Sequence, residues 1–536
     1  MVARLLHELL LHSAERVPDR PAVLCKDERL TFEQIAHASQ TLAGVLRNEG
    51  IRKGDRVAFW LEKRFEKVIS IFGISVAGGV MVPIKRLSHV NQAAYIINNC
   101  GAKLLITTAA RFKELATELA GMSTLTTILI IDSGSTTEGV VGHSIRLIDW
   151  TEALGSRAES GRISDRIVEN DLAAILYTSG STGRPKGVAL SHCNIVSGTK
   201  IVCEYLGIHE NDRLLSVLSF GFDYGLNQLT TSIFCGAKIV LLDHLFSKDL
   251  IHAVQKYEIT GLAAVAATWL QLLQIPWDGE QLPSLRYITN SGGAIPENYV
   301  RELRKRLPKT SIFLMYGLTE AFRSTYLDPR LVDSKPASIG KAIPGNEILV
   351  LNEHDQPVGP GQIGELVHRG PVVAQGYWGD PELTAARYRR NPMQPKEIPI
   401  PEMVVYSGDY VKKDEEGFLY FVGRKDEMIK CAGNRISPTE VEEVLYATGK
   451  IQDAVVMGLP HEIYGEIIKA VVAPRPQTSI TMDELLSHCR KMLPPYMIPH
   501  DLEIRSELPR NANGKLDRAA IRKQILEGLG LQKRVD

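Results

Sequence analysis

"LYTSGSTGRPKGVALSH", residues 176–192, crowds Gly, Ser, Thr and Pro between two apolar runs and holds one lysine, Lys186, between Pro185 and Gly187. A strand ending at Tyr177 and a helix starting near Ser191 would wrap the backbone N–H groups of a Gly-rich turn around an anion. Gly180 and Gly183 let the backbone approach closely, while Thr178, Ser179, Ser181 and Thr182 add hydroxyl donors and Lys186 adds a mobile charge. Such a loop suits a polyphosphate. It is not a Walker A loop, which requires Gly-Lys-[Ser/Thr], because Lys186 follows a proline and precedes a glycine.

Outward from this loop, short apolar runs such as "DRVAFWL", "LAAILYT", "KIVLLD" and "SIFLMYG" alternate with helical stretches such as "KDLIHAVQKYE" and "PENYVRELRKRL". That alternation predicts an α/β body of largely parallel sheets layered with helices, with ligands collecting at the carboxyl ends of the strands. Near residue 345 "EILVLNEHDQPVGPGQIGELVHRG" turns strand-like and implies a small β subdomain, and "NPMQPKEIPIPEM" (391–403) reads as an extended surface loop. After Arg424 a last unit begins, large enough to form its own α+β domain. The expected division is residues 1–425 and residues 426–536.

With 536 residues, two or more cores are expected. Sixty-two basic residues balance sixty-two acidic ones, so no global field favours nucleic acid or an anionic membrane. The seven cysteines lack metal-ligand or disulfide-framework spacing and fit a reducing cytoplasm. The most apolar run, "VISIFGISVAGGVMVPI" (68–84), is broken by Gly and Pro83 and reads as a buried helix entering a strand, with no membrane insertion.

The loop resembles the phosphate-binding signature of the adenylate-forming superfamily, which includes acyl-CoA synthetases, luciferases and peptide-synthetase adenylation domains. Four further stretches are similar to that superfamily's elements in the same order: "MYGLTEA" (315–321), "YSGDYV" (406–411), "GFLYFVGRKDEMIKCAGNRISPTEVE" (417–442) and "LPRNANGKLDR" (508–518). The long matches resemble most the bacterial acyl-CoA ligases associated with exosortase systems.

The resemblance implies an acid–thiol ligase that uses ATP, Mg²⁺ and a small-molecule carboxylic acid, and then the thiol of coenzyme A. Glu320, with Thr178 or Thr319, would anchor metal and phosphate, because a hard ion that keeps several waters needs few protein oxygens. Asp409 would accept the ribose hydroxyls, with Arg424 reaching the same sugar. Gly292, Gly293 and Ala294 would close over adenine, with Gly292 also in the substrate pocket beside Phe222, Asp223 and Asn227, and Tyr316, beside Gly317, would stack on the base. Lys515 would reach over the reacting carboxylate and α-phosphate, offsetting charge that grows there. Asp426 would be a hinge, about which rotation brings Lys430 and Gly433 to the thiol tunnel.

The acyl pocket is less determined. "LSFGFDYGLNQL" (218–229) places Phe222 and Asp223 where amino-acid-activating relatives hold the substrate's ammonium. Asp223 either contacts a polar or amino group of the acid, or caps a helix or bonds Asn227 and faces away. The first reading keeps open a stand-alone amino-acid adenylating enzyme that loads a carrier protein's phosphopantetheine. "VPIKRLSH" (82–89) carries Lys85-Arg86 where prolines and small residues are commoner, a departure without an evident role.

Overall fold

The computed structural model describes the chain except residues 1–2, 135–138, 142–144, 156–165, 180–184, 244–245, 278, 432–433, 462–463, 512–513 and 529–536. Two large sheets and two small ones organise the described residues. In the eight-stranded sheet, strands Arg56–Trp60, Val80–Ile84, Leu104–Thr108 and Thr127–Ile131 run parallel. In the nine-stranded sheet Arg213–Ser216, Gly261–Ala264, Tyr287–Asn290 and Ser311–Tyr316 also run parallel. Their near-continuous Val, Ile and Leu follow from burial on both faces.

The expected buried helix is Phe65–Ala77, which has no exposed face and ends on left-handed Gly78 at φ +84°. It packs on helix Phe32–Asn48, whose start is fixed by Thr31 and Gln34 capping each other's backbone. The N-terminal amphipathic helix Leu6–Arg16 lies against helix Asp223–Cys235. One continuous core joins these helices to both large sheets.

One expectation is corrected. The Lys186 loop is not a strand-to-helix turn: strand Leu172–Ser179 is followed by an antiparallel strand Pro185–Ser191, which pairs Lys186 with Thr178. The run "GVALS", read as the loop's apolar flank, is buried β-structure, and Ser191 then caps helix His192–Leu206. Thr178 and Lys186 therefore sit opposite each other at the mouth of a hairpin. Gly180, Ser181, Thr182 and Gly183 lie outside the described residues, as does the side chain of Ser179.

The expected β subdomain is a five-stranded antiparallel sheet that includes Glu347–Leu351, Ile363–Arg369, Met403–Lys413 and Leu419–Arg424. From Ile429 the chain enters the second five-stranded sheet, in which Ile451–His461 and Gly465–Pro474 form a long hairpin. Tyr299 on helix Glu297–Arg306 reaches this terminal unit, donating to the Ile451 carbonyl at 2.5 Å and receiving Arg475 Nε at 3.0 Å. The hydrophobic cluster around it includes residues from both sides.

Candidate active site

A cavity of about 410 Å³ opens where the two large sheets, the β subdomain and the terminal unit converge. Thr178, Lys186, Phe222, Asp223, Gly292, Gly293, Ala294, Tyr316, Gly317, Thr319, Glu320, Asp409, Arg424 and Lys515 all line it, although they span more than three hundred positions. The sheets bring them together at strand ends, where backbone groups are unpaired and side chains converge.

At one wall Tyr316, the last residue of strand Ser311–Tyr316, donates its hydroxyl to Asp409 Oδ2. Its ring stacks on buried His368 at 6.3 Å between centroids and 13° between planes. Burial pushes His368 down to about 3, so its imidazole is a neutral backing plate. Asp409 Oδ1 lies 3.3 Å from Arg424 Nη1 but has no hydrogen-bond partner among the described residues. Burial raises the Asp409 pKa, against the lowering by Arg424 and Tyr316. A buried acceptor with spare capacity, beside a guanidinium, suits a hydroxyl donor such as a sugar diol. Tyr316→Phe is expected to raise KM for ATP by about 3–10-fold with little change in kcat, by freeing the carboxylate to rotate. Steady-state kinetics at saturating acid checks this.

Glu320 lies in the short 3₁₀ turn Thr319–Ala321, and its Oε1 accepts from Tyr377 at 2.6 Å. The next residue, Phe322, is buried with φ +38°, a left-handed backbone that a non-glycine adopts at a cost of about 1–3 kcal/mol. This kink sends Glu320 to the cavity and Arg323 into the core. Among the described residues no three His, Cys, Asp or Glu converge as a metal cage. One carboxylate and the Thr178 hydroxyl nevertheless fit Mg²⁺, which keeps most of its water and shares phosphate oxygens.

Lys515 enters from the terminal unit. Its turn is closed by Asn511 N donating to the Lys515 carbonyl at 2.8 Å, and braced by Arg510 on Asp453 at 2.6 Å. Arg518 just beyond grips Glu442 through two 2.6 Å bonds. Burial lowers the Lys515 pKa, with the charges of Asp223 and Asp409 opposing. Its Nζ stands 5.9 Å from the Phe222 ring centre. A Cβ on Gly292, at φ +78°, would lie 3.3 Å from Lys515 Cε, so both backbone and space call for glycine there.

Asp223 lines the cavity, which corrects the expectation that it bonds Asn227 and faces away. At the first turn of helix Asp223–Cys235, its carboxylate accepts from Thr319 Oγ1 at 3.1 Å and from Arg323 Nη2 at 3.3 Å. Both ion-pair partners are almost wholly buried. Asn227 points elsewhere, towards a small separate cavity. Thr319 thus has its hydroxyl turned to Asp223 at the cavity wall. Asp426 lies in the turn after strand Leu419–Arg424, with Oδ1 3.3 Å from Arg424 Nε. Lys430 is exposed on strand Ile429–Cys431, outside the cavity lining, and Gly433 is outside the described residues.

Three lining or partner groups carry no assignment from sequence, Tyr377, Arg387 and Arg323, and Lys85 is marked there only as a departure without a role. Tyr377 follows Gly376 in a Gly-Tyr-Trp string, and Arg387 ends the capped helix Pro381–Arg387; those were the available signals. Nothing in the sequence marks Arg323 as the partner of Asp223.

The AMP-binding enzyme family model matches residues 10–378, and the AMP-binding enzyme C-terminal domain matches residues 440–515. The chain is 30% identical to a long-chain-fatty-acid–CoA ligase of Bacillus subtilis, over 97% of this chain and 94% of that protein. It is 29% identical to an L-proline–[L-prolyl-carrier protein] ligase of Pseudomonas fluorescens, over 97% and 99%. Among solved structures, an anthranilate–CoA ligase in complex with anthranoyl-AMP shares the fold at a TM-score of 0.87, covering 99% of both chains at 22% identity.

Proposed function

The chain belongs to the AMP-binding enzyme family, and on that premise we propose how its cavity performs the chemistry of an AMP-forming acid–thiol ligase. A carboxylate oxygen attacks the α-phosphorus of ATP, the bond to the β-phosphate oxygen breaks, and acyl-AMP and pyrophosphate form. A thiol sulfur, that of coenzyme A, then attacks the acyl carbon, its proton is lost, and AMP leaves. Two anions meet in the first step, so positive charge at the reacting oxygens is the main requirement.

Lys515 supplies that charge over the carboxylate and α-phosphate. Lys186, Thr178 and the hairpin mouth hold the phosphates. Asp409, kept in place by Tyr316 and Arg424, accepts the ribose hydroxyls, and Gly293, Ala294 and Gly317 border the base. Glu320 and Thr178 would hold Mg²⁺, which when bound neutralises phosphate charge. The single observation carrying this reading is the meeting of Lys515 from the terminal unit with Asp409 and Glu320 in one cavity.

The proposed division falls at Asp426, in the turn between a strand of the β subdomain sheet and one of the terminal sheet. Residues 1–425 form the body and 426–536 a mobile unit. Rotation there withdraws Lys515 and presents the Lys430 strand for thiol entry. Seven free thiols fit a cytoplasmic location, and no described helix is long and apolar enough to cross a membrane. The relatives named above do not bear on the exosortase grouping.

A carrier-protein pantetheine is the second reading for the thiol, favoured by the proline-activating relative. Arg323 weighs against an amino acid as the acid, because Asp223 is already neutralised. Pyrophosphate release is to be measured over fatty, aryl, dicarboxylic and amino acids, followed by thioester detection with coenzyme A or a carrier protein. Acid-dependent release and an acyl-CoA product are expected. Activity with amino acids and a carrier protein alone would replace this reading with the second.

A further inference from the structure

Lys85 has no part in the chemistry above. It follows strand Val80–Ile84 at the carboxyl end of the eight-stranded sheet, and its side chain lines the cavity with Gly221, Phe222, Asp223 and Lys515. Trp60 Nε1 donates to the Lys85 carbonyl at 3.1 Å and fixes its backbone. A Cβ on Gly221 would lie 3.2 Å from Lys85 Cγ and 3.1 Å from the Pro83 carbonyl, so the glycine leaves the lysine stem its path.

The ammonium has no hydrogen bond or ion pair among the described residues. Burial first, then the charge of Lys515, pulls the Lys85 pKa down to about 8, with Asp223 opposing. Asp223 is not its counter-ion at contact distance: among the described residues that carboxylate pairs with Arg323 and accepts from Thr319. An unpaired ammonium in a protein wall costs stability unless a ligand neutralises it. It also repels the ammonium of an amino acid.

The acyl side is short. Tyr224 OH and Thr289 Oγ1 bond at 2.5 Å behind Phe222 and Asp223. Beyond that pair lies a separate cavity of about 20 Å³ among Tyr224, Asn227, Gln228 and Tyr287, room for about one water and not for a chain.

We infer that Lys85 determines specificity for a compact acid carrying a second anionic group, such as a short dicarboxylate. One carboxylate is adenylated while the other pairs with the Lys85 ammonium. The inference rests on the ligase reading above.

The test is exchange of labelled pyrophosphate into ATP with butyrate against succinate and valerate against glutarate, for the wild type, Lys85→Met and Lys85→Arg. The wild type should favour each diacid by more than about 10-fold in kcat/KM. Lys85→Met should abolish or reverse that ratio, chiefly through KM, and Lys85→Arg should retain most of it. The ligand-free Tm of Lys85→Met should not fall, because an unpaired cation has been removed. Wild-type preference for monoacids, with the ratio unmoved in Lys85→Met, overturns the inference and leaves the ligase reading intact. A lowered Tm with equal losses for all acids overturns it in favour of a structural role. Exchange with no acid in the wider panel ends the ligase reading and this inference together.

Discussion

Lys515→Ala is expected to lower acid-dependent exchange of labelled pyrophosphate into ATP by roughly 10²–10³-fold, with much smaller changes in KM for ATP and acid. The side chain is buried at the junction of Gly292, Phe222 and Asp223, and no water-exposed lysine could replace its charge there. A fixed cation in a low-dielectric site acts on charge that appears only as the bond to pyrophosphate breaks, so the loss should fall on kcat. Thioester formation from preformed acyl-adenylate should change by less than about 3-fold, because in the proposal Lys515 has then left the cavity. Undiminished exchange would remove Lys515 from the chemistry altogether.

The second large effect concerns stability. Arg323→Met should lower the apparent Tm by at least about 3 °C, since it strands the buried Asp223 carboxylate with only the Thr319 hydroxyl. Removing one member of a buried ion pair costs about 3–5 kcal/mol, whereas replacing both can be near neutral. Asp223→Ala should be comparably harmful, because among the described residues Arg323 Nε and Nη1 already lack partners and its other neighbours are the Tyr224 and Phe322 rings. The double variant Asp223→Ala/Arg323→Met should recover more than half of the lost Tm. Thermal scans at one fixed rate measure all three; additive losses in the double variant would show that the pair is not coupled.

Much of the cavity's lining is legible in the sequence because its residues lie in short contiguous strings. The Gly/Ser/Thr loop, the Glu320 turn, the Asp409 segment and the Lys515 turn each carry their residue types within a few positions. What joins them is not local. Tyr316 and Asp409 are ninety-three positions apart and Asp223 and Arg323 one hundred, and each pair meets only because the sheets assemble as they do. The hairpin was misread for a related reason. "GVALS" has too few residues for periodicity to separate a buried strand from a loop flank, and its pairing with Leu172–Ser179 decides the matter. The left-handed Phe322 left no trace in composition, since non-glycine residues reach that region only under tertiary constraint.

The braces beneath Lys515 have a consequence for timing. Asp453, Glu442 and their arginines bolt the lysine's turn to the long hairpin and helix Pro438–Ala447, so the turn cannot fold back by itself. On the proposed rotation at Asp426, retreat of the cation would be an all-or-nothing departure of a whole lobe, and the Tyr299 contacts would break in the same stroke. The enzyme would not idle in a half-open posture with its mixed anhydride exposed to hydrolysis: the door and the catalyst are one piece.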